Sequence, residues 1–226
     1  MSVMRVPFKM LAVPAPPFRL SREHTVLLLM DFQNYTTNRQ AGYGKLAADR
    51  GIDREFDEYF LQLDAAIKNA RRLLEACRMQ KIPVIHTLLA CSNIDRQDLS
   101  RQFRVNEFDI PFGDPIEEIR HEVAPQPGER ILPRAAYSPF SRTDIHSILE
   151  QMETENILLA GMMADTTVAM TAREAADRDF GVIVVMDSSA SQTHEWHAQL
   201  RDGIVGGLIR QRSTSHVIEM IRGERT

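Results

Sequence analysis

The chain reads as an α/β protein, a three-layer sandwich in which a central, mostly parallel sheet lies between two layers of helix. Two observations predict this. Short, wholly apolar runs alternate with longer stretches whose apolar residues recur at helical spacing, which is the pattern of βαβ units. Two of those runs, Thr25–Met30 and Val182–Met186, pass directly into a carboxylate, Asp31 and Asp187, as strands do where a parallel sheet opens onto a ligand crevice. The length of 226 residues and 43% hydrophobic content suffice for one large core and demand no second domain. We therefore expect an extended N-terminal arm over residues 1–22 and one domain over 23–226.

Each element has its own signal. Thr25–Met30 is apolar and rich in branched side chains, so it reads as a strand buried on both faces. From Glu55 to Met79, Leu61, Ala65, Ile67, Ala70, Leu73, Leu74 and Cys77 recur among charges and predict a long amphipathic helix. Ile82–Leu89 is the next strand, with Pro83 tolerated at its start. Between Cys91 and Gly128 the chain turns polar, and its prolines and glycines mark an irregular segment that would frame a pocket. Arg130–Leu132 is a short strand, Thr143–Met152 a helix with Thr143 as N-cap, and Asn156–Met162 a buried strand. Thr166–Asp179 reads as a helix closed near Gly181, and Val182–Met186 as a further strand. Glu195–Ile209 and Ser215–Arg222 read as the last helices.

Composition excludes several function classes. A net charge of -4 argues against a nucleic-acid or anionic-membrane partner. The two cysteines, Cys77 and Cys91, read as reduced thiols, and no apolar run reaches the roughly 18 residues of a membrane span. Pro7, Pro14, Pro16 and Pro17 interrupt the N-terminal stretch, which reads as an arm rather than a signal peptide, and the expected location is cytoplasmic.

Three segments carry chemistry. The first strand closes in Asp31-Phe32-Gln33-Asn34, the second segment is Arg134-Ala135-Ala136-Tyr137-Ser138-Pro139-Phe140, and the third is Gly161-Met162-Met163-Ala164-Asp165-Thr166-Thr167-Val168-Ala169-Met170-Thr171-Ala172. In an open parallel sheet, Asp31, Thr167 and the stretch after Ile131-Leu132 all fall at carboxyl ends of strands and can converge on one pocket. Asp31 could equally cap the following turn, and Thr166 with Thr167 could be an ordinary helix N-cap.

In this order and spacing, from about Thr25 to about Ser189, the segments resemble the isochorismatase-like cysteine hydrolases. Their third motif usually reads Gly-Val-x-Thr-Asp-x-Cys-Val-x-x-Thr-Ala and their second Lys-x-x-Tyr-Ser-Ala-Phe. The resemblance implies a six-stranded sheet of Rossmann-like topology, a cis peptide at Met162-Met163 and a catalytic set at Asp31, Arg134 and Thr167. Asp31 is kept, Arg134 stands where the family has Lys, and Thr167 stands where it has the nucleophilic Cys. The backbone around Met163 and Thr167 would form the oxyanion hole. Phe32, Tyr35, His86 and Tyr137 are candidate pocket walls, as is Trp196. A hydrogen-bonded core histidine is at least as good a reading of His86, and plain core is the commoner reading of such aromatics.

The two replacements change the chemistry. A thiol near pKa ~8.5 becomes a thiolate readily, whereas a hydroxyl needs a strong, placed base. A guanidinium stays charged and cannot shuttle a proton, although Arg134 could hold a substrate carboxylate or carbonyl and would keep Asp31 ionised. Isochorismatases themselves lack the cysteine, and Ala164 and Tyr137-Ser138 are similar to their motifs. Asp165 stands where they have His, however, so the likeness stops short of their substrate. His194 and His197 read as a solvated helix face rather than a metal pair, so neither metal nor cofactor is expected. The leading expectation is a hydrolase of a small amide, imide or vinyl ether, and the alternative is a non-catalytic descendant kept for ligand binding or assembly. A homo-oligomer is expected, with Pro14–Leu20 and the 91–128 segment as interface candidates.

Overall fold

The computed structural model describes residues 17–108, 110, 112, 118–195, 197 and 208–224. Six parallel strands form one sheet in the order β3-β2-β1-β4-β5-β6: β1 Thr25–Met30, β2 Val84–Leu89, β3 Arg130–Arg134, β4 Asn156–Gly161, β5 Gly181–Val185 and β6 Ile209–Arg212. The order reverses between β1 and β4, which places a crevice beyond their carboxyl ends.

Both faces of the sheet are covered, which is why its central strands β1, β4 and β5 are nearly continuous apolar runs rather than alternating. Leu27 and Leu29 of β1 join Leu158, Ile183 and Val185 in a core closed by α3, Asp57–Met79, and by the C-terminal helix α7, Thr214–Ile221. Val26, Leu28 and Met30 point the other way, onto α5, Ile145–Gln151, and α6, Ala169–Ala176. Each fully buried leucine of this kind contributes about 1.5–3 kcal/mol. Among the described residues no helix is long and apolar enough to cross a membrane.

Several elements differ from the sequence reading for identifiable reasons. The helix expected from Thr166 begins as a π turn over Ala164–Val168, and only then continues as α6. Gly181 does not close that helix: Asp179 takes the left-handed turn at φ 68, and Gly181 opens β5. A Cβ at Gly181 would lie 2.5 Å from Asn156 Oδ1 and 3.1 Å from Phe18, so glycine is there for close approach. Thr143 works one residue farther out than expected, with Asp144 at the cap position and Thr143 Oγ1 accepting from the Ile145 N–H at 3.2 Å. Ile209 belongs to β6, not to a helix. Of the remaining Glu195–Ile209 span, Glu195 and His197 are helical, Leu208 is a turn, and Trp196 and 198–207 lie outside the described residues.

The arm is described only from residue 17. Phe18 is buried, stacked beneath the Arg210 guanidinium at 4.1 Å, and Arg19 O accepts from Asn156 Nδ2 at 3.3 Å, so this part docks on its own domain. The rest of Pro14–Leu20 that was expected at an interface, residues 14–16, lies outside the described residues. Within the 91–128 segment, a short helix α4, Arg101–Val105, packs Phe103 into a third cluster with Cys91, Leu99 and Ile110. Cys77 and Cys91 are both unbridged and buried, and burial pushes the Cys77 thiol up to about 12.

Candidate active site

The site is built where β1, β2, β3 and β4 end. Asp31 follows β1 in a left-handed conformation, φ 59, which turns its carboxylate across the strand ends. Gln33 locks that turn to β2 by accepting from the Leu89 N–H at 2.7 Å and donating to Leu89 O at 3.0 Å. β3 lies beyond β2, and Arg134 at its end faces Leu89 in register. Its long side chain reaches over β2 to Asp31. Nε donates to Asp31 Oδ1 at 3.2 Å, Nη2 bonds Oδ2, and Nη1 bonds the Ala136 carbonyl. Thr87 of β2, in register with Met30, donates to Asp31 Oδ1 at 3.1 Å.

After β4 the chain passes Gly161 and the cis Met162-Met163 peptide before the turn that carries Thr167. Gly161 has φ 150, and a Cβ there would fall 2.2 Å from Met30 O. Met163 O accepts from the Thr166 and Val168 N–H groups, at 3.3 and 3.2 Å, and Ala164 N–H reaches Ala190 O at 2.7 Å. Thr167 is thereby held against the fork: its Oγ1 lies 3.4 Å from Arg134 Nη2. The structure brings Asp31, Arg134 and Thr167 together through this one guanidinium.

That arrangement has definite electrostatics. Arg134 and Asp31 have no exposed side-chain surface and Thr167 is 4% exposed, so the charges face each other rather than solvent. Burial pushes the Asp31 carboxyl above its ordinary range, while Arg134 and Thr87 pull it back. Thr167 Oγ1 meets a cation that can only donate, so its proton has no base at that contact. Arg134 is turned inward onto Asp31 and Ala136, which corrects the expectation that it would reach out to a substrate.

A cavity of about 150 Å³ is lined by Met163 and Thr166, from the turn that carries Thr167, and by Tyr43, Phe56, Phe108 and Tyr137, while none of the trio itself lines it. Of the pocket residues expected from sequence, Tyr137 lines it. Phe32 is packed in the α3-side core, and Tyr35 stacks edge-on behind Tyr43 with centroids 5.0 Å apart. His86 lies elsewhere: its Nε2 is 3.0 Å from Glu129 Oε2, next to the Arg78–Glu129 ion pair, and burial pushes it below its ordinary range. Trp196 is outside the described residues. His194 contacts Glu58, and His197 Nδ1 is 3.1 Å from Ser191 Oγ; among the described residues no group of three metal-ligating side chains forms.

Sequence reasoning missed Thr87, Gln33, Tyr43 and Phe108. Thr87 had a usable signal, since parallel strands that end together place a residue near the end of β2 beside the carboxylate that follows β1.

The comparisons agree with this architecture. Among curated proteins the chain is 27% identical over 180 residues to the secreted isochorismatase effector Isc1 of Verticillium dahliae, covering 76% of each. It is 26% identical to the phenazine biosynthesis protein PhzD of Pseudomonas fluorescens, over 64% of this chain and 73% of that one. Among solved structures, a cysteine hydrolase from Pseudomonas syringae pv. phaseolicola superposes with a TM-score of 0.76 at 19% identity, over 93% of this chain and 98% of that one. N-carbamoylsarcosine amidase from Thermoplasma acidophilum superposes at 0.64 with 22% identity, over 84% and 96%. Residues 25–209 match the isochorismatase domain, a span holding β1 to the start of β6 and all three residues of the buried trio, and the chain therefore belongs to the isochorismatase family of hydrolases.

Proposed function

We propose that this hydrolase cleaves a small metabolite without a covalent intermediate on Thr167, and that a vinyl ether suits its site better than an amide or imide. The contact between Thr167 Oγ1 and Arg134 Nη2 carries the reading. The side chain that Thr167 Oγ1 meets can only donate, so no base stands ready to take its proton, and Asp31, the one carboxylate in the trio, has both oxygens engaged by Arg134 and Thr87. Amide hydrolysis needs a potent nucleophile; vinyl-ether hydrolysis needs an acid.

In this mechanism Asp31 takes up a proton from solvent as the substrate displaces the Thr87 contact on Oδ1, then gives it to the vinyl carbon, and the ether carbon becomes an oxocarbenium ion. Arg134 holds the carboxylate left behind. Water adds to the cation and returns a proton to Asp31, and the resulting hemiketal breaks down to a ketone and an alcohol. Asp31 is the one group of the trio that can take up and release a proton, since Arg134 stays charged; burial favours its protonated form and Arg134 opposes it. The backbone around Met163 and Thr167 would hold a substrate oxygen.

A second reading rests on the same burial. The trio is mutually satisfied and shielded, as a retained structural ion pair would be, and the cavity would then bind a ligand without turning it over. Assay of the wild type against a panel of vinyl ethers, amides and imides separates the two: turnover of a vinyl ether supports the hydrolase, and none across the panel supports the binding protein. Exposed Ile94, Val105 and Phe112 in the 91–128 segment support self-association, which light scattering at micromolar concentration tests; a monomer ends that idea. The unbridged cysteines support a reducing compartment.

A further inference from the structure

We propose that Arg50 is the ligand-selecting cation of the cavity, so that the site takes a small anion with a flat apolar body. The inference rests on reading this cavity as the substrate site. Arg134 has all three of its guanidinium nitrogens engaged by Asp31 and the Ala136 carbonyl, so it is not free to take a ligand anion. Among the described residues that line the cavity, Arg50 alone carries a charge, and no carboxylate faces it there.

The local fold presents this side chain deliberately. Helix α2, Gly42–Asp49, ends at Arg50, and Gly51 turns left-handed at φ 68, so that Leu46, Ala47, Arg50 and Ile52 all reach the same wall. Arg50 is lightly held. Its Nη2 donates to Asn106 O at 3.2 Å and lies 3.9 Å from Glu107 Oε2, whose side chain is 85% exposed. Exposed pairs of this kind are weak and screened by solvent, so a ligand anion can take the guanidinium over. Opposite, Gln192 is fixed by donating to Asp165 Oδ2 at 2.8 Å. The body of the cavity is aromatic, with Tyr43 and Phe108 edge to face at 5.4 Å, and a volume on the order of 150 Å³ accommodates a benzene-sized ring.

The test uses benzoate and its neutral counterpart benzamide as probes, titrated into the full chain by calorimetry. Wild type should bind benzoate at least tenfold more tightly than benzamide, and the preference should shrink as salt rises. Arg50→Gln should erase it, while Arg50→Lys should keep most of it. Equal affinities in the wild type, or a preference that survives both salt and Arg50→Gln, would overturn the inference. Arg50-dependent benzoate binding in a wild type that hydrolyses nothing would sink the hydrolase reading alone, and turnover of neutral substrates without any benzoate preference would sink this one alone.

Discussion

Arg134 grips Asp31 on both carboxylate oxygens from two strands away, Nε to Oδ1 at 3.2 Å and Nη2 to Oδ2, with neither side chain exposed. A buried pair of this kind costs more to break than it contributes. Asp31→Asn leaves a guanidinium buried without its counter-charge and should destabilise the fold by about 3–5 kcal/mol. Asp31→Leu with Arg134→Met should restore much of that. Chemical denaturation checks both, and a double variant no more stable than Asp31→Asn would contradict the account.

Gly161 is fixed by space as well as by conformation. Gly161→Ala drives a methyl to 2.2 Å from a backbone carbonyl and should cost at least about 3 kcal/mol or prevent folding. Gly51 also has positive φ, but nothing lies within 4 Å of its Cβ position, so Gly51→Ala should cost about 1–2 kcal/mol. Similar melting temperatures for the two variants would show that the approach to Met30 is not limiting.

Acid should weaken the fold through the β2–β3 edge. Burial would raise Glu129, but Arg78, the Gln126 N–H and His86 hold it down to about 2 from 4.5, so its stabilisation is full above pH 4.5 and is lost as pH falls toward 2. His86 is held neutral below its ordinary 6.5 by burial, and its protonation on unfolding subtracts stability in the same direction, below pH 6.5. The Glu129 shift alone removes on the order of 2 kcal/mol between pH 7 and 3, and His86 acts in the same direction. Urea midpoints at the two pH values should converge in Glu129→Gln; an undiminished drop would place the acid sensitivity elsewhere.

Restoring the family's residue types tests whether the pocket itself is intact. In Arg134→Lys with Thr167→Cys, a thiol stands where the hydroxyl meets the cation, beside an amine that can lose its proton. Amidase activity absent from the wild type should emerge on a panel of small amides. A folded double variant that stays inactive would mean that the cavity walls, not the reactive groups, set the substrate.

The parallel α/β sandwich and the meeting of Asp31, Arg134 and Thr167 were legible because they rest on strong signals: wholly apolar runs, a carboxylate at a strand end, and motifs in order. β6 was not, because Ile209-Arg210-Gln211-Arg212 is an edge strand with Ile209 as its one buried side chain, and no apolar run marks it. Of the cavity lining, the sequence pointed to Tyr137 and Met163. Tyr43, Arg50 and Phe108 sit in α2 and in loops, and which of them meet depends on a turn at Gly51 and on packing around Phe103 that no local pattern encodes. For His86 the sequence left a pocket wall and a hydrogen-bonded core histidine open, because strand position fixes its face but not its partner, and Glu129 is 43 residues away.

The central claim is that chemistry here passes through Asp31 and not through a covalent Thr167. The most direct measurement is kcat/KM for vinyl-ether hydrolysis by Thr167→Ala against wild type. The hydroxyl contributes one long contact to Arg134, so the account predicts a value within about threefold of wild type and a stability loss of about 1 kcal/mol or less. A loss of a hundredfold or more in a folded variant, or a wild type that hydrolyses no vinyl ether, would contradict it.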